Sequence, residues 1–89
     1  YVYMFIEAMA DAAVREGISR DKAYKLAAQS VLGSAKMVLE TGEHPAKLKD
    51  NVCSPGGTTI EAVLELEETG FRSSVMSAMK KCSKKSKKM

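Results

Sequence analysis

The residues best suited to chemistry lie in one short stretch, Ser54-Pro55-Gly56-Gly57-Thr58-Thr59. Pro55 fixes φ, and two glycines reach backbone conformations closed to other residues while leaving their N–H groups uncovered. The apolar run that follows reads as a helix. The first N–H groups of a helix lack intrahelical partners and carry positive partial charge. Together these parts suit a small anion, a carboxylate or a phosphate. The hydroxyls of Ser54, Thr58 and Thr59 add hydrogen-bonding groups at its edge. The same six residues also make a serviceable turn into a threonine-capped helix and nothing more. They are not a Walker loop, which requires a lysine, nor a G-x-G-x-x-G fingerprint.

Other candidates carry less. His44, beside Pro45, offers an acid or base, but a lone histidine in a connecting loop is ordinarily a solvated one. Cys53 adjoins the glycine loop without a neighbouring His in sequence to activate it, so it reads as an inert thiol. Cys53 and Cys82 are not spaced as metal ligands, and a single His leaves zinc short of donors, so no metal is expected. Between a disulfide joining these two cysteines and two free thiols, the reading favours free thiols in a cytoplasmic protein.

The elements that position the loop are helical throughout. Val2, Phe5, Ile6, Met9 and Ala13 recur at helical spacing, and Gly17 follows as a stop. Ser19 is a good N-cap for a second helix running to about Glu40, with Asp21 in its first turn. Ala23, Leu26, Ala27, Ser30, Gly33, Ser34 and Met37 lie along one stripe of it, small enough for close approach. A helix of about 21 residues spans roughly 30 Å, long for so small a domain, so a partner subunit is expected to cover much of its apolar face. Pro45 suits the first position of a short third helix. A fourth begins at Thr58 or Thr59, where Thr58 and Glu61 fit a capping box, and ends at Gly70. A fifth runs from Phe71 to about Cys82, leaving a solvated tail. No stretch alternates as a strand would, so the fold class is all-α.

Size and charge bound the rest. The chain has 89 residues, 45% hydrophobic, which is enough for one small and marginally stable domain. No apolar run approaches the roughly 18–20 residues of a membrane span. The formal net charge of +3 is unevenly spread: Lys80, Lys81, Lys84, Lys85, Lys87 and Lys88 supply six of the 14 basic residues, leaving a mildly acidic body. The lysine run has no aromatic residues for base stacking and reads as a solubilising end, with neither nucleic acid nor membrane as partner. The helical pattern is already running at Tyr1, with no initiator Met or N-cap before it, so the stretch reads as part of a longer protein.

Residues 48–79, LKDNVCSPGGTTIEAVLELEETGFRSSVMSAM, closely resemble the C-terminal part of the pyrroline-5-carboxylate reductase family. Upstream, DAAVREGISRDKAYKLAAQSVLGSAKMVLETGEHPAKLKDNV is similar to the same family in order and spacing. The resemblance covers residues 1–79, and KDNVCSPGGTT is its most specific part; the run 80–89 carries none of it. It implies an all-α helical dimerisation domain from an enzyme that also has a nucleotide-binding Rossmann domain. The implied reaction is NADPH- or NADH-dependent reduction of 1-pyrroline-5-carboxylate to L-proline, the last step of proline biosynthesis. The implied assembly is a cytoplasmic homodimer, which in this family also builds decamers, with each active site shared between subunits.

Carried over by position, the resemblance implies that Ser54, Gly56, Gly57, Thr58 and Thr59 receive the substrate carboxylate, chiefly through backbone N–H groups. It implies that the Thr59 hydroxyl faces the substrate ring nitrogen, and that Asn51 lies near the cofactor. Thr58 matches a position where the family also accepts alanine, which leaves its side chain a capping role. The sequence departs from the full family pattern in having no dinucleotide fingerprint. The alternative is a stand-alone helical dimerisation module without catalysis, its glycine loop only a turn.

Overall fold

The computed structural model describes residues 1–88. Five helices in order, α1 (Val2–Arg15), α2 (Arg20–Thr41), α3 (Pro45–Val52), α4 (Thr58–Glu68) and α5 (Phe71–Lys88), and no strand are present among the described residues. The all-α expectation is met. The chain divides into two compact units, Tyr1–Leu48 and the part from Lys49 onward, with the division falling inside α3.

In the first unit α1 packs on α2 through small side chains. Ala10, Ala23 and Ala27 are the buried centre, and Ile6, Met9, Ala13, Val14 and Ile18 close around them. Alanine at the contact lets two helix backbones approach more closely than Leu or Phe would allow, which is what the small-residue stripe of α2 anticipated. The connection is a Schellman motif with Gly17 at φ 106°. The Ile18 N–H donates to the Ala13 carbonyl at 3.1 Å, and the Gly17 N–H to the Val14 carbonyl at 2.9 Å. Ile18, just past the glycine, then folds onto the core it helps to seal. Asp11 and Arg20 pair across this turn, and the Arg20 guanidinium lies 5.8 Å from the Tyr24 ring centre. The hydrogen bond to Asp11 raises the Arg20 pKa further above its ordinary value.

Further along α1 and α2 the packing opens. A groove of about 400 Å³ is lined by Phe5, Met9, Val31, Val38 and the small Ser34 and Ala35. Leu26, Leu32, Met37 and Leu39 of α2 are exposed, Leu39 at 82%. Gly42, at φ 68°, ends α2 as its left-handed cap. Ser19 occupies the N-cap position, with extended backbone and no side-chain cap bond.

The second unit holds the loop and the α4–α5 hairpin. Gly70, at φ 83°, ends α4, and its carbonyl accepts the Ser74 N–H at 2.9 Å to open α5. Two expectations need correction here. Thr58 is not the cap of α4: Gly57 occupies that position, so Thr58 is the first helical residue, Glu61 lies one place too far along, and no capping box forms. The fifth helix, expected to stop near Cys82 and leave a tail, continues as α5 through Lys88, while Met89 lies outside the described residues. The physical reason is the absence of a stop. No Gly or Pro follows Gly70. Lysine is a good helix former, and cations near a helix C-terminus are favoured by its dipole.

Candidate functional site

The glycine stretch is a tight turn joined directly to the N-terminus of α4. The Cys53 N–H donates to the Asp50 carbonyl at 3.1 Å and closes the end of α3. The next four residues, 54–57, form a β-turn in which the Gly57 N–H donates to the Ser54 carbonyl at 3.0 Å. Pro55 takes the second position and Gly56 the third, at φ 70°. That is the signature of a type II turn, whose third residue needs positive φ.

Gly57 is required for a different reason. Its backbone is extended, at φ −83° and ψ 175°, which any residue adopts. A Cβ there would stand 2.6 Å from Ser54 Oγ and 3.2 Å from the Ser54 carbonyl oxygen. One glycine therefore answers a conformational demand and the other a close approach. This accounts for two in succession.

The turn presents the start of α4 to solvent. Of the first four N–H groups of this helix, Gly57's is already held by Ser54. Those of Thr58, Thr59 and Ile60 have no intrahelical acceptor, and no side chain caps them. Thr58 and Ser54 are exposed; Gly57 and Thr59 are half-buried. The donors and the two threonine hydroxyls thus sit at the positive end of a helix dipole, an arrangement suited to a carboxylate.

Asn51 is exposed in the last turn of α3, immediately before this loop. Ser54, Gly56, Gly57, Thr58 and Thr59 are brought together as one turn. His44 stands apart, in the connection before α3, where its Nδ1 accepts the Ala46 N–H at 3.0 Å and caps that helix. Cys53 and Cys82 carry free thiols. Among the described residues no group of His, Cys, Asp and Glu gathers as a metal site, and no helix is long and apolar enough to cross a membrane.

Comparison with known proteins fixes the lineage. The family model described as pyrroline-5-carboxylate reductase dimerisation matches residues 1–89. The chain belongs to this family. It is 72% identical over its whole length to the pyrroline-5-carboxylate reductase of Escherichia coli (strain K12), and 54% identical to that of Methanosarcina acetivorans. In each case it spans 33% of the relative, so the chain corresponds to about one third of a full-length reductase.

The solved 1-pyrroline-5-carboxylate reductase of Streptococcus pyogenes superposes with a TM-score of 0.96 at 43% identity, over 100% of this chain and 34% of that one. The Plasmodium falciparum pyrroline carboxylate reductase, solved with NADP bound, gives 0.93 at 41% identity, over 97% and 33%. These likenesses make the five-helix arrangement a family property.

Proposed function

We propose that the chain is the dimer-forming and substrate-loop part of a pyrroline-5-carboxylate reductase, which reduces 1-pyrroline-5-carboxylate to L-proline. The observation that carries this reading is the turn at 54–57 feeding the uncapped N-terminus of α4. In a family named for this reductase, the anion is the carboxylate of the cyclic imino acid. The Thr58 and Thr59 N–H groups receive it, with Gly56 shaping the approach and the Ser54 hydroxyl at the rim. Because the Gly57 N–H is engaged within the turn, Gly57 acts by leaving space and not by donating.

With the carboxylate held, the half-buried Thr59 hydroxyl is the group assigned to the ring nitrogen, hydrogen-bonding it as the imine becomes an amine. This chain's contribution is orientation, which by itself supplies a large share of rate when two reactants must meet. NADPH or NADH supplies the hydride for the imine carbon when it is bound. Among the described residues the regular elements are all helices, with no strand–turn–helix cradle for a dinucleotide. The cofactor site is therefore assigned to the rest of a full-length reductase, with Asn51 at its edge. The assembly proposed is a cytoplasmic homodimer, with decamers as the larger form. The exposed apolar residues of α2 and α5 support an extensive protein partner.

The test joins this chain to the remaining two thirds of the Escherichia coli relative and assays proline formation. The fusion is expected to be active. Thr59→Ala should lower kcat/KM for the imino acid about tenfold, which corresponds to about 1.4 kcal/mol, the upper end of the net worth of one neutral hydrogen bond. Thr59→Ser should retain most of it. An active fusion whose kinetics ignore Thr59→Ala removes the role given to that hydroxyl. An inactive but folded and dimeric fusion favours the non-catalytic module.

A further inference from the structure

We propose that the lysine face at the end of α5 docks on the glutamate face of α4 in a second copy of this chain, a salt-sensitive contact additional to the apolar dimer surface. The inference rests on the dimer-forming reading above and adds a contact of different chemistry to it.

Apart from Arg72 in its first turn, α5 carries its charge at its C-terminal end. Lys80, Lys84 and Lys87 fall along one line of the helix, and Lys81 and Lys85 along the next, all exposed. No acidic residue occurs anywhere in α5. Among the described residues no ion pair engages any of these lysines. Like charges four residues apart destabilise a helix, so the stripe stands at a disadvantage that an anionic surface would relieve.

The matching surface is on the same chain. Glu61, Glu65 and Glu68 of α4 recur at the same helical spacing, are exposed, and among the described residues take part in no ion pair. Arg72 and Glu67 pair across this hairpin at 2.8 Å, on a different line of α4. Each stripe covers about two turns, roughly 10 Å at 1.5 Å per residue, so their lengths agree. Because both lie in one compact unit, a two-fold axis allows a reciprocal exchange, lysines of each copy against glutamates of the other.

The other polyanions fit less well. A helix lying in a membrane interface needs its apolar face beneath its charged face. Here Phe71, Val75, Met76 and Met79 precede the lysines along the axis, and Cys82, Ser83 and Ser86 lie opposite them. Single-stranded nucleic acid calls for aromatic residues to stack on, and α5 has none after Phe71.

The test measures self-association of the reductase polypeptide that carries this chain, by sedimentation between about 0.01 M and about 1 M salt, where the Debye length falls from about 30 Å to about 3 Å. Lys84→Glu with Lys85→Glu should weaken association about tenfold or more at low salt and little at high salt, as expected for exposed charges. Adding Glu65→Lys with Glu68→Lys should restore it. Lys84→Gln with Lys85→Gln gives a milder variant if the reversal disturbs folding.

Low-salt association unchanged by either lysine variant overturns the inference while leaving the dimer reading intact. So does a loss that the reversed glutamates fail to rescue, or lysine-dependent binding of duplex DNA or anionic vesicles with self-association unaffected. A wild-type protein monomeric at every salt concentration overturns the dimer reading as well.

Discussion

At the scale of single residues, the two loop glycines differ in kind, and substitution should separate them. Gly56→Ala places a Cβ in the left-handed region at φ 70°, which costs about 1–2 kcal/mol. Asn, which tolerates that region, should cost less. The expected order in urea denaturation is wild type, Gly56→Asn, Gly56→Ala, with the m-value unchanged. Gly57→Ala meets no such penalty, but its Cβ would press on the Ser54 hydroxyl and carbonyl. It should therefore act on the site more than on the fold. Adding Ser54→Ala should recover only part of the loss, because the carbonyl contact remains. Residue chemistry of this sort was legible in the sequence: proline followed by glycine announces a turn with positive φ. The close approach at Gly57 was not, since it depends on where the Ser54 side chain sits.

At the scale of elements, the stops were easier to read than the starts. Gly17, Gly42 and Gly70 all end helices at positive φ, a requirement the residue type itself declares. The start of α4 at Thr58 was legible, but its cap was misjudged by one place, because Gly57 can serve as an N-cap without offering any side-chain signal. The length of α5 was misjudged because the apolar period ends at Cys82 while helix propensity does not. The α1–α2 contact yields a sharper test. Ala10 is 0% and Ala23 1% exposed, so neither has room for a larger side chain. Ala23→Leu should destabilise the first unit by about 1–3 kcal/mol through overpacking. Ala35→Leu, at the edge of the α1–α2 groove, should cost much less. Equal thermal shifts for the two would mean that the alanine contact does not hold these helices together.

At the scale of the whole molecule, the chain keeps few of its apolar side chains to itself. Among the described residues only three alanines are buried, while Leu26, Leu32, Met37 and Leu39 on α2 and Val75, Met76 and Met79 on α5 remain exposed. Such surface is what a subunit interface removes from water, at roughly 25 cal/mol per Å². Stability should then depend on concentration, since dissociation to two unfolded chains is favoured by dilution. For a dimer, each tenfold dilution removes about 0.7 kcal/mol per protomer, which for a chain of this length lowers Tm by about 3–6 °C. Differential scanning calorimetry over two decades of concentration measures this directly. A Tm that stays fixed across that range would mean that the exposed leucines and methionines are not covered by a second copy. Leu32→Lys and Leu39→Lys sharpen the experiment. Each should lower Tm at high concentration and erase its dependence on dilution, because the change harms the associated state far more than the already solvated single chain.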